Sequence, residues 1–488
     1  MKSFSGILHP GALVYFVGIK GTGVCALAEL FHNMGIKTAG SDIPEVFYTD
    51  DILKELGIPC HESFDSAHIT DNIDMVIHSA AYSTENNAEL SEAEKKNIPV
   101  VPYPEALGMY SAMFNSTGIA GVHGKTTTAA LCGCLVRKLR LPSQVLVGSA
   151  VANFYGRSTL AQGNTYFIAE TCEYRKHFLA FHPQRIILTA VESDHQDFFP
   201  TYQSIRDAFV EYCRLIPSGG ELIYCADDPG ACEVARIIAD EGRGVVPVPY
   251  GYTAEGFYRI SNYRTEHDRA LFRAAAFPEE FRLRIPGRHQ SLNAAAALAL
   301  VSVLVKKEFG GWNVSLLTAA HKAVEDFAGS KRRSEIIGNA GGIIFMDDYG
   351  HHPTAIAATL EGLRDFYPSR RIVVSFMSHT YTRTAALLDD FAKSLAAADV
   401  LFLHKIYASA REQFNGKISG KDIYEKTVSI NNKKVRDVYY VDEPLHALEP
   451  LKVILKRGDL FLTMGAGNNW PLGQELLDYY RNDSGVSL

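Results

Sequence analysis

No apolar run in the 488-residue sequence is long enough to cross a bilayer. The most apolar helix candidate, Asn293–Val305, is Ala-rich, short and stopped by Lys306 and Lys307. Blocks of Lys or Arg are also missing. With 48 basic and 55 acidic residues the net charge is −7, which argues against nucleic acid and against a membrane surface as partners. The eight cysteines are scattered, and only Cys132 and Cys134 fall close together. That spacing excludes a zinc ribbon and a disulfide framework, leaving reduced, buried thiols in a cytoplasmic protein as the expectation. Short repeats and low-complexity tracts are absent. The apolar run Ala12–Ile19 leads into glycines rather than a cleavage site, so it reads as a buried first strand and not as a signal segment.

What is present is ordinary globular material, 47% hydrophobic and 21% charged, in a chain too long for one core. Short β-branched and apolar runs alternate with helix-length segments, the pattern of parallel α/β domains. One set comprises Ala12–Val17, Lys37–Ser41, Met75–Ser79 and Ile98–Pro102. A second comprises Ser116–Ala120, Tyr166–Ala169, Arg185–Thr189 and Glu221–Cys225. A third comprises Gly342–Met346, Ile372–Phe376, Val400–Leu403, Val438–Val441 and Leu460–Met464. Breaks near Met113 and Gly329 divide the chain into three α/β domains in series.

The first strand leads into Gly18-Ile-Lys-Gly21-Thr22-Gly23-Val-Cys-Ala26, and Asp42 ends the next strand. Glycines so spaced let a backbone turn tightly and approach a diphosphate at a helix N-terminus. A dinucleotide, a nucleotide sugar and a turn without ligand all fit. The second motif, Gly121-Val-His123-Gly124-Lys125-Thr126-Thr127-Thr128, follows a strand and opens a helix-forming run. It is a shortened phosphate-binding loop: backbone N–H groups cradle phosphates, Lys125 neutralises them, and Thr126 or Thr127 reaches Mg²⁺. Glu170, Glu173, Asp194 and His195 follow strands of the same set and are candidate metal ligands, although histidine is an unusual partner for Mg²⁺. Gly287-Arg-His289-Gln-Ser-Leu-Asn293 precedes the Ala-rich helix. It reads as a helix cap or as a pair of groups that recognise adenine. The third set carries Asp347-Asp348-Tyr349-Gly350-His351-His352-Pro353 after its first strand and His379-Thr380-Tyr381-Thr382-Arg383 after its second. Two His-rich loops beside an arginine suit an anionic or carboxylate ligand.

Together these motifs resemble the Mur ligase family over essentially the whole chain, from Phe16-Val-Gly-Ile to Gly465-Ala-Gly-Asn468. Asp-Tyr-Gly-His-His-Pro-Thr, Tyr381-Thr-Arg383-Thr and Ile406-Tyr-Ala-Ser-Ala-Arg411-Glu412 look like the alanine-adding branch; a recycling branch that adds a ready-made tripeptide is similar. The resemblance implies a Rossmann-like domain at 1–113 for a UDP-sugar, a P-loop ATPase domain with a parallel sheet at 114–328, and a Rossmann-like domain at 329–488 for the amino acid. It implies ATP and Mg²⁺ as cofactors, UDP-N-acetylmuramic acid and L-alanine as substrates, an acyl-phosphate intermediate, and leaves a homodimer open. Residue by residue, Gly121, His123, Gly124, Lys125, Thr126 and Thr127 match the ATP loop. His289 and Asn293 match the adenine contacts, and Arg332 and Asp347 the closing contacts to ATP. Thr126, Glu170 and His195 match metal positions. Gly18, Gly21, Thr22, Gly23, Asp42 and Ser79 match the UDP-sugar region, and Tyr349, His351, His379 and Arg383 the region that receives alanine. Lys125, His195, His351 and Arg383 are the implied catalytic set. The sequence departs from the family at Lys20, where glycine is usual, at Thr171-Cys172-Glu173-Tyr174, where an acidic run is commoner, at Ala190 for asparagine and at Thr380 for arginine.

Overall fold

The structure, a computed structural model, describes residues 9–266, 268–408, 412, 414, 416–430 and 437–484; Arg411 of the motif noted above lies outside them. Its strands form three groups. The first is a five-stranded parallel sheet in the order Cys60–His61, Lys37–Ser41, Leu13–Val17, Met75–His78, Val100–Pro102. The order reverses between Leu13–Val17 and Met75–His78, so the loops carrying Gly18 and Ser79 flank the point where such sheets bind ligands. The second is a parallel run, Val246–Gly251, Glu221–Cys225, Arg185–Leu188, Asn115–Ala120, Tyr166–Glu170, Ser143–Val151, with Arg157–Ala161 antiparallel at one edge. An antiparallel meander, Tyr258–Glu266, Arg269–Ala274 and Phe281–Leu283, comes later in the chain.

The third is a six-stranded sheet in the order Glu335–Ala340, Ile343–Asp348, Asp459–Met464, Arg371–Phe376, Val400–Leu403, Asp437–Tyr440. All its pairings are parallel except the first. Period-two alternation sends successive apolar residues to opposite faces. Ile344 and Met346 join Ile372, Val374, Leu401 and Leu462 in one apolar layer, whereas Ile343 and Phe345 join Val373, Phe402 and Phe461 in the other. A sheet covered on both faces needs such nearly continuous apolar strands.

By packing, the chain forms two compact units. One comprises Met1–Val191, Arg206–Tyr250 and Ala296–Ala323; the other comprises Glu192–Ile205, Gly251–Ala295 and Val324–Leu488. Several expectations need correction. Ser143–Val151, Arg157–Ala161, the meander and Glu335–Ala340 are additional strands. Glu335–Ala340 escapes a pattern search because its register shifts between Ile336 and Gly338, which breaks the alternation. Asp347 and Asp348 end a strand rather than follow it. The Ala-rich helix runs Arg288–Phe309, so His289 and Asn293 sit on its first turns, and Lys306 and Lys307 lie in its last turn rather than stopping it. Lysine is a good helix former and suits a helix C-terminus. The stop comes at Gly310 and Gly311, with φ 76° and 144°.

Among the described residues no helix is long and apolar enough to cross a membrane. All eight cysteines are free thiols. Five are buried, but Cys172 is exposed and Cys60 and Cys232 are partly so.

Candidate active site

The first glycine loop is held from within. Gly18 (φ 81°) turns the chain, and its N–H donates to the Ser41 carbonyl at 2.8 Å. Asp42, placed by sequence at the substrate, uses both carboxylate oxygens on the main chain, accepting from Lys20 N at 2.7 Å and Ile43 N at 2.8 Å. The Lys20 ammonium is buried 2.9 Å from Asp50 and 3.3 Å from Glu62, so this departure from glycine pins the loop to neighbouring carboxylates. Thr22 accepts from the Tyr48 hydroxyl at 3.1 Å. A Cβ built on Gly21 would meet nothing nearer than the Gly18 carbonyl at 3.4 Å, so a side chain there fits the protein itself.

At the second loop two glycines are obligatory. Gly121 has φ 133°, and a Cβ there would fall 2.2 Å from Thr189 Oγ1 and 2.7 Å from Ala190 N. Gly124 has φ 80° and opens the helix Lys125–Leu139. Ala190 serves through its backbone, its carbonyl accepting from Val122 N at 2.9 Å; the Thr189 hydroxyl donates to the carbonyls of Ala120 (3.1 Å) and His123. Lys125 Nζ donates to Glu173 Oε1 at 3.1 Å, lies 3.0 Å from Oε2, and also donates to the Gly121 carbonyl. Burial alone would lower the Lys125 pKa, but the Glu173 and Glu170 carboxylates outweigh it and raise the pKa, so the ammonium stays charged. Glu170 ends the neighbouring strand. It accepts from Thr126 Oγ1 at 3.1 Å through one oxygen and from Gly148 N at 2.8 Å through the other. Thr127 is buried beside them. A hydroxyl and a carboxylate converging at a helix N-terminus, next to a charged lysine, form an oxygen donor set that fits Mg²⁺ and a phosphate. Glu173, a candidate metal ligand from sequence, is here engaged with the Lys125 ammonium.

The other cluster belongs to the second compact unit. Its centre is a buried ion pair that sequence could not join: Asp194 Oδ1 accepts from Arg383 Nε at 2.9 Å and Nη2 at 2.6 Å, across a sequence separation of 189. Arg383 is therefore not the open cation expected from sequence; its remaining nitrogen, Nη1, donates to His379 Nδ1 at 3.2 Å and more weakly to the His379 carbonyl at 3.4 Å. Burial would raise the Asp194 pKa, yet the Arg383 guanidinium beside it, through its charge and its hydrogen bonds, holds it well below the usual carboxylate range. His195, with φ 51°, follows directly; its N–H donates to Asp194 Oδ1 at 2.7 Å and its Nε2 lies 3.8 Å from Oδ2. His351 packs edge-on to His379 with centroids 6.0 Å apart and also edge-on to Tyr349. A small polar cavity is lined by His195, Gln196, Asp197, Thr380, Thr382, Arg383 and Glu412. Glu412, another residue missed from sequence, accepts from the N–H groups of Tyr381 (2.5 Å) and Thr382 (3.2 Å) and so fixes the start of the Arg383 helix.

Arg332 and Asp347 meet each other. Arg332 Nε donates to Asp347 Oδ2 at 2.8 Å, Nη2 donates to the Gly465 carbonyl at 2.8 Å, and the guanidinium lies 5.1 Å from the Tyr349 ring centroid. The His289–Asn293 group forms a chain through Gln290. The Gln290 amide donates to His289 Nε2 at 3.0 Å and accepts from Asn293 Nδ2 at 3.0 Å, so the imidazole and the second amide are held by the residue between them.

A glycine-lysine loop shaped for phosphate in one unit and a His/Arg/Asp cluster in the other belong to a multidomain α/β protein with a phosphate-binding loop. Three family descriptions match in order: "Mur ligase family, catalytic domain" at 13–115, "Mur ligase middle domain" at 119–301 and "Mur ligase, glutamate ligase domain" at 332–467. The UDP-N-acetylmuramate–L-alanine ligase of Treponema pallidum (strain Nichols) is 50% identical over 473 residues, covering 97% of this chain and 98% of that one. The protein of the same name from Borreliella burgdorferi is 38% identical over 464 residues, covering 94% and 97%. Among solved structures, the UDP-N-acetylmuramate-alanine ligase of Thermotoga maritima aligns with TM-score 0.74 at 24% identity, covering 96% and 99% of the two chains. A murein peptide ligase from Psychrobacter arcticus aligns with TM-score 0.64 at 21% identity, covering 97% and 99%. The chain belongs to the Mur ligase family, and it is a ligase.

Proposed function

We propose that the chain joins L-alanine to UDP-N-acetylmuramic acid in peptidoglycan precursor synthesis, with ATP as phosphoryl donor and Mg²⁺ as its metal. The near-full-length likeness to the Treponema protein carries the choice of substrates. In this reading residues 1–113 take the UDP-sugar, 114–328 the ATP and 329–488 the amino acid. The muramic carboxylate is phosphorylated while Lys125 holds the transferring phosphate. The alanine amine then attacks the acyl carbon, and phosphate leaves from a tetrahedral intermediate. Thr126 and Glu170 would hold Mg²⁺, which when bound supplies charge to offset the phosphate oxygens.

Mass spectrometry of products from a mixture of alanine, glycine, L-serine and L-Ala-γ-D-Glu-diaminopimelate tests the choice. A pocket sized for a methyl group discriminates only ~10–200-fold against glycine, so alanine adducts dominate with weak glycine and serine products. Dominant tripeptide addition would move the chain to the recycling branch, and no product with any amine would make it a non-catalytic relative.

Two substitutions probe the binding sites. Glu170→Gln keeps an acceptor for Thr126 but removes the charge, and the Mg²⁺ midpoint of turnover is expected to rise about 10–100-fold. An unchanged Mg²⁺ titration would assign Glu170 to the fold alone. Gly21→Val fits the empty loop, where the nearest atom to a Cβ is 3.4 Å away. Steady-state kinetics should therefore give a raised KM for the UDP-sugar, an unchanged KM for ATP and an unchanged melting temperature.

A further inference from the structure

Gly21 and Gly23 of the first loop are glycines for different reasons. A Cβ on Gly21 would meet nothing nearer than the Gly18 carbonyl at 3.4 Å, whereas one on Gly23 would fall 2.8 Å from the Tyr103 hydroxyl oxygen and 2.9 Å from Cζ of the same ring. Gly23 lies on the first turn of the helix Thr22–Asn33, so its missing side chain makes room for a phenol at that helix N-terminus. Tyr103 itself opens the helix Tyr103–Ser111 directly after the strand Val100–Pro102, at the carboxyl end of the first sheet. That helix is fixed from behind. A Cβ on Gly108 would collide with the Ala180 carbonyl, in the segment Tyr174–Ala180 that follows Glu173.

The Tyr103 residue is half-buried, and its hydroxyl makes no hydrogen bond among the described residues. A phenol so placed has a donor to offer. Burial pushes its pKa up, and the neighbouring Cys172 and Glu170 act in the same direction, so the oxygen keeps its proton. An uncharged donor suits this position. A lysine or arginine here would pair with the Glu170 carboxylate, whereas a hydroxyl leaves that carboxylate to Thr126 and a metal. Resting on the ligase reading above, we propose that the Tyr103 hydroxyl donates a hydrogen bond to the diphosphate of the UDP-sugar and fixes it at the N-terminus of the helix Thr22–Asn33. The helix N-terminus supplies backbone N–H groups for phosphate, and the phenol adds a directed donor that any side chain at position 23 would displace.

Tyr103→Phe keeps the ring that fills the space beside Gly23 and removes only the donor. Calorimetric titrations of the full chain with UDP-N-acetylmuramic acid, UDP and ATP read the consequence. Both uridine ligands should bind the variant about 10–100-fold more weakly, while ATP binds equally well. The melting temperature should not change, because no hydrogen bond within the protein is lost. Unchanged affinity for UDP-N-acetylmuramic acid overturns the proposal. So does weakening confined to UDP-N-acetylmuramic acid, which would place the hydroxyl on the sugar or its carboxylate instead of the diphosphate. Weaker ATP binding together with a lower melting temperature would make Tyr103 a structural residue and also overturn it. An unsubstituted chain that binds ATP but neither uridine ligand overturns the UDP-sugar reading of the first domain, and the hydrogen bond with it.

Discussion

Lys125→Ala should lower turnover by roughly 10²–10⁴-fold, equivalent to about 3–5 kcal/mol of transition-state stabilisation. The ammonium sits at the N-terminus of the helix Lys125–Leu139, and flanking carboxylates keep it charged. Charge developing on a transferring phosphate would meet a cation already in place, which is where electrostatic catalysis gains most. Removing Lys125 also takes a counter-charge from Glu173, only 3% exposed, and breaking a buried ion pair is destabilising in itself. The double variant Lys125→Ala/Glu173→Gln separates the effects. Its melting temperature should recover toward the parent while its turnover stays low. Turnover recovering together with stability would assign Lys125 a structural part only.

Asp194→Asn is expected to be the most damaging change in the second cluster. Arg383 and Asp194 are both 3% exposed, and two guanidinium nitrogens converge on one carboxylate oxygen. Taking away one partner of a buried pair leaves the other uncompensated, at about 3–5 kcal/mol of stability. Loss of the pair also releases Arg383 from His379, so the KM for alanine should rise while the KM for ATP is unchanged. Arg383→Lys should behave similarly, because a point charge cannot reproduce a planar fork. Denaturation curves and alanine kinetics of the single and double variants form the cycle that checks this. Additive effects would mean that the two side chains act independently.

What could be read from the sequence depended on how local the signal was. The phosphate loop was legible because glycines at 121 and 124 are forced by backbone geometry, and a lysine follows directly. The central strands of the third sheet were legible because a sheet buried on both faces leaves nearly continuous apolar runs, although Asp347 and Asp348 were placed beyond a strand they end. The Arg383–Asp194 pair was not, since nothing local announces a partner 189 positions away. Nor could sequence show that Asp42 and Arg332 are already engaged, Asp42 with backbone N–H groups and Arg332 with Asp347 and a carbonyl. A residue type at a motif position states a capacity for bonding, and only the fold states which bonds are taken. Glu335–Ala340 was lost to a register shift, and the length of the Ala-rich helix to two lysines taken as a stop.

The carboxylate resting 3.0 Å from Lys125 also sets an entry condition for the loop. A lone polyanion arriving there competes with Glu173 for one ammonium, in a buried setting where separating opposite charges is costly. An anion escorted by a divalent cation meets no such contest, because it brings a second positive centre that the displaced carboxylate can face. The loop therefore sorts ligands by what accompanies them rather than by size. Free phosphate or pyrophosphate is therefore expected to compete weakly there.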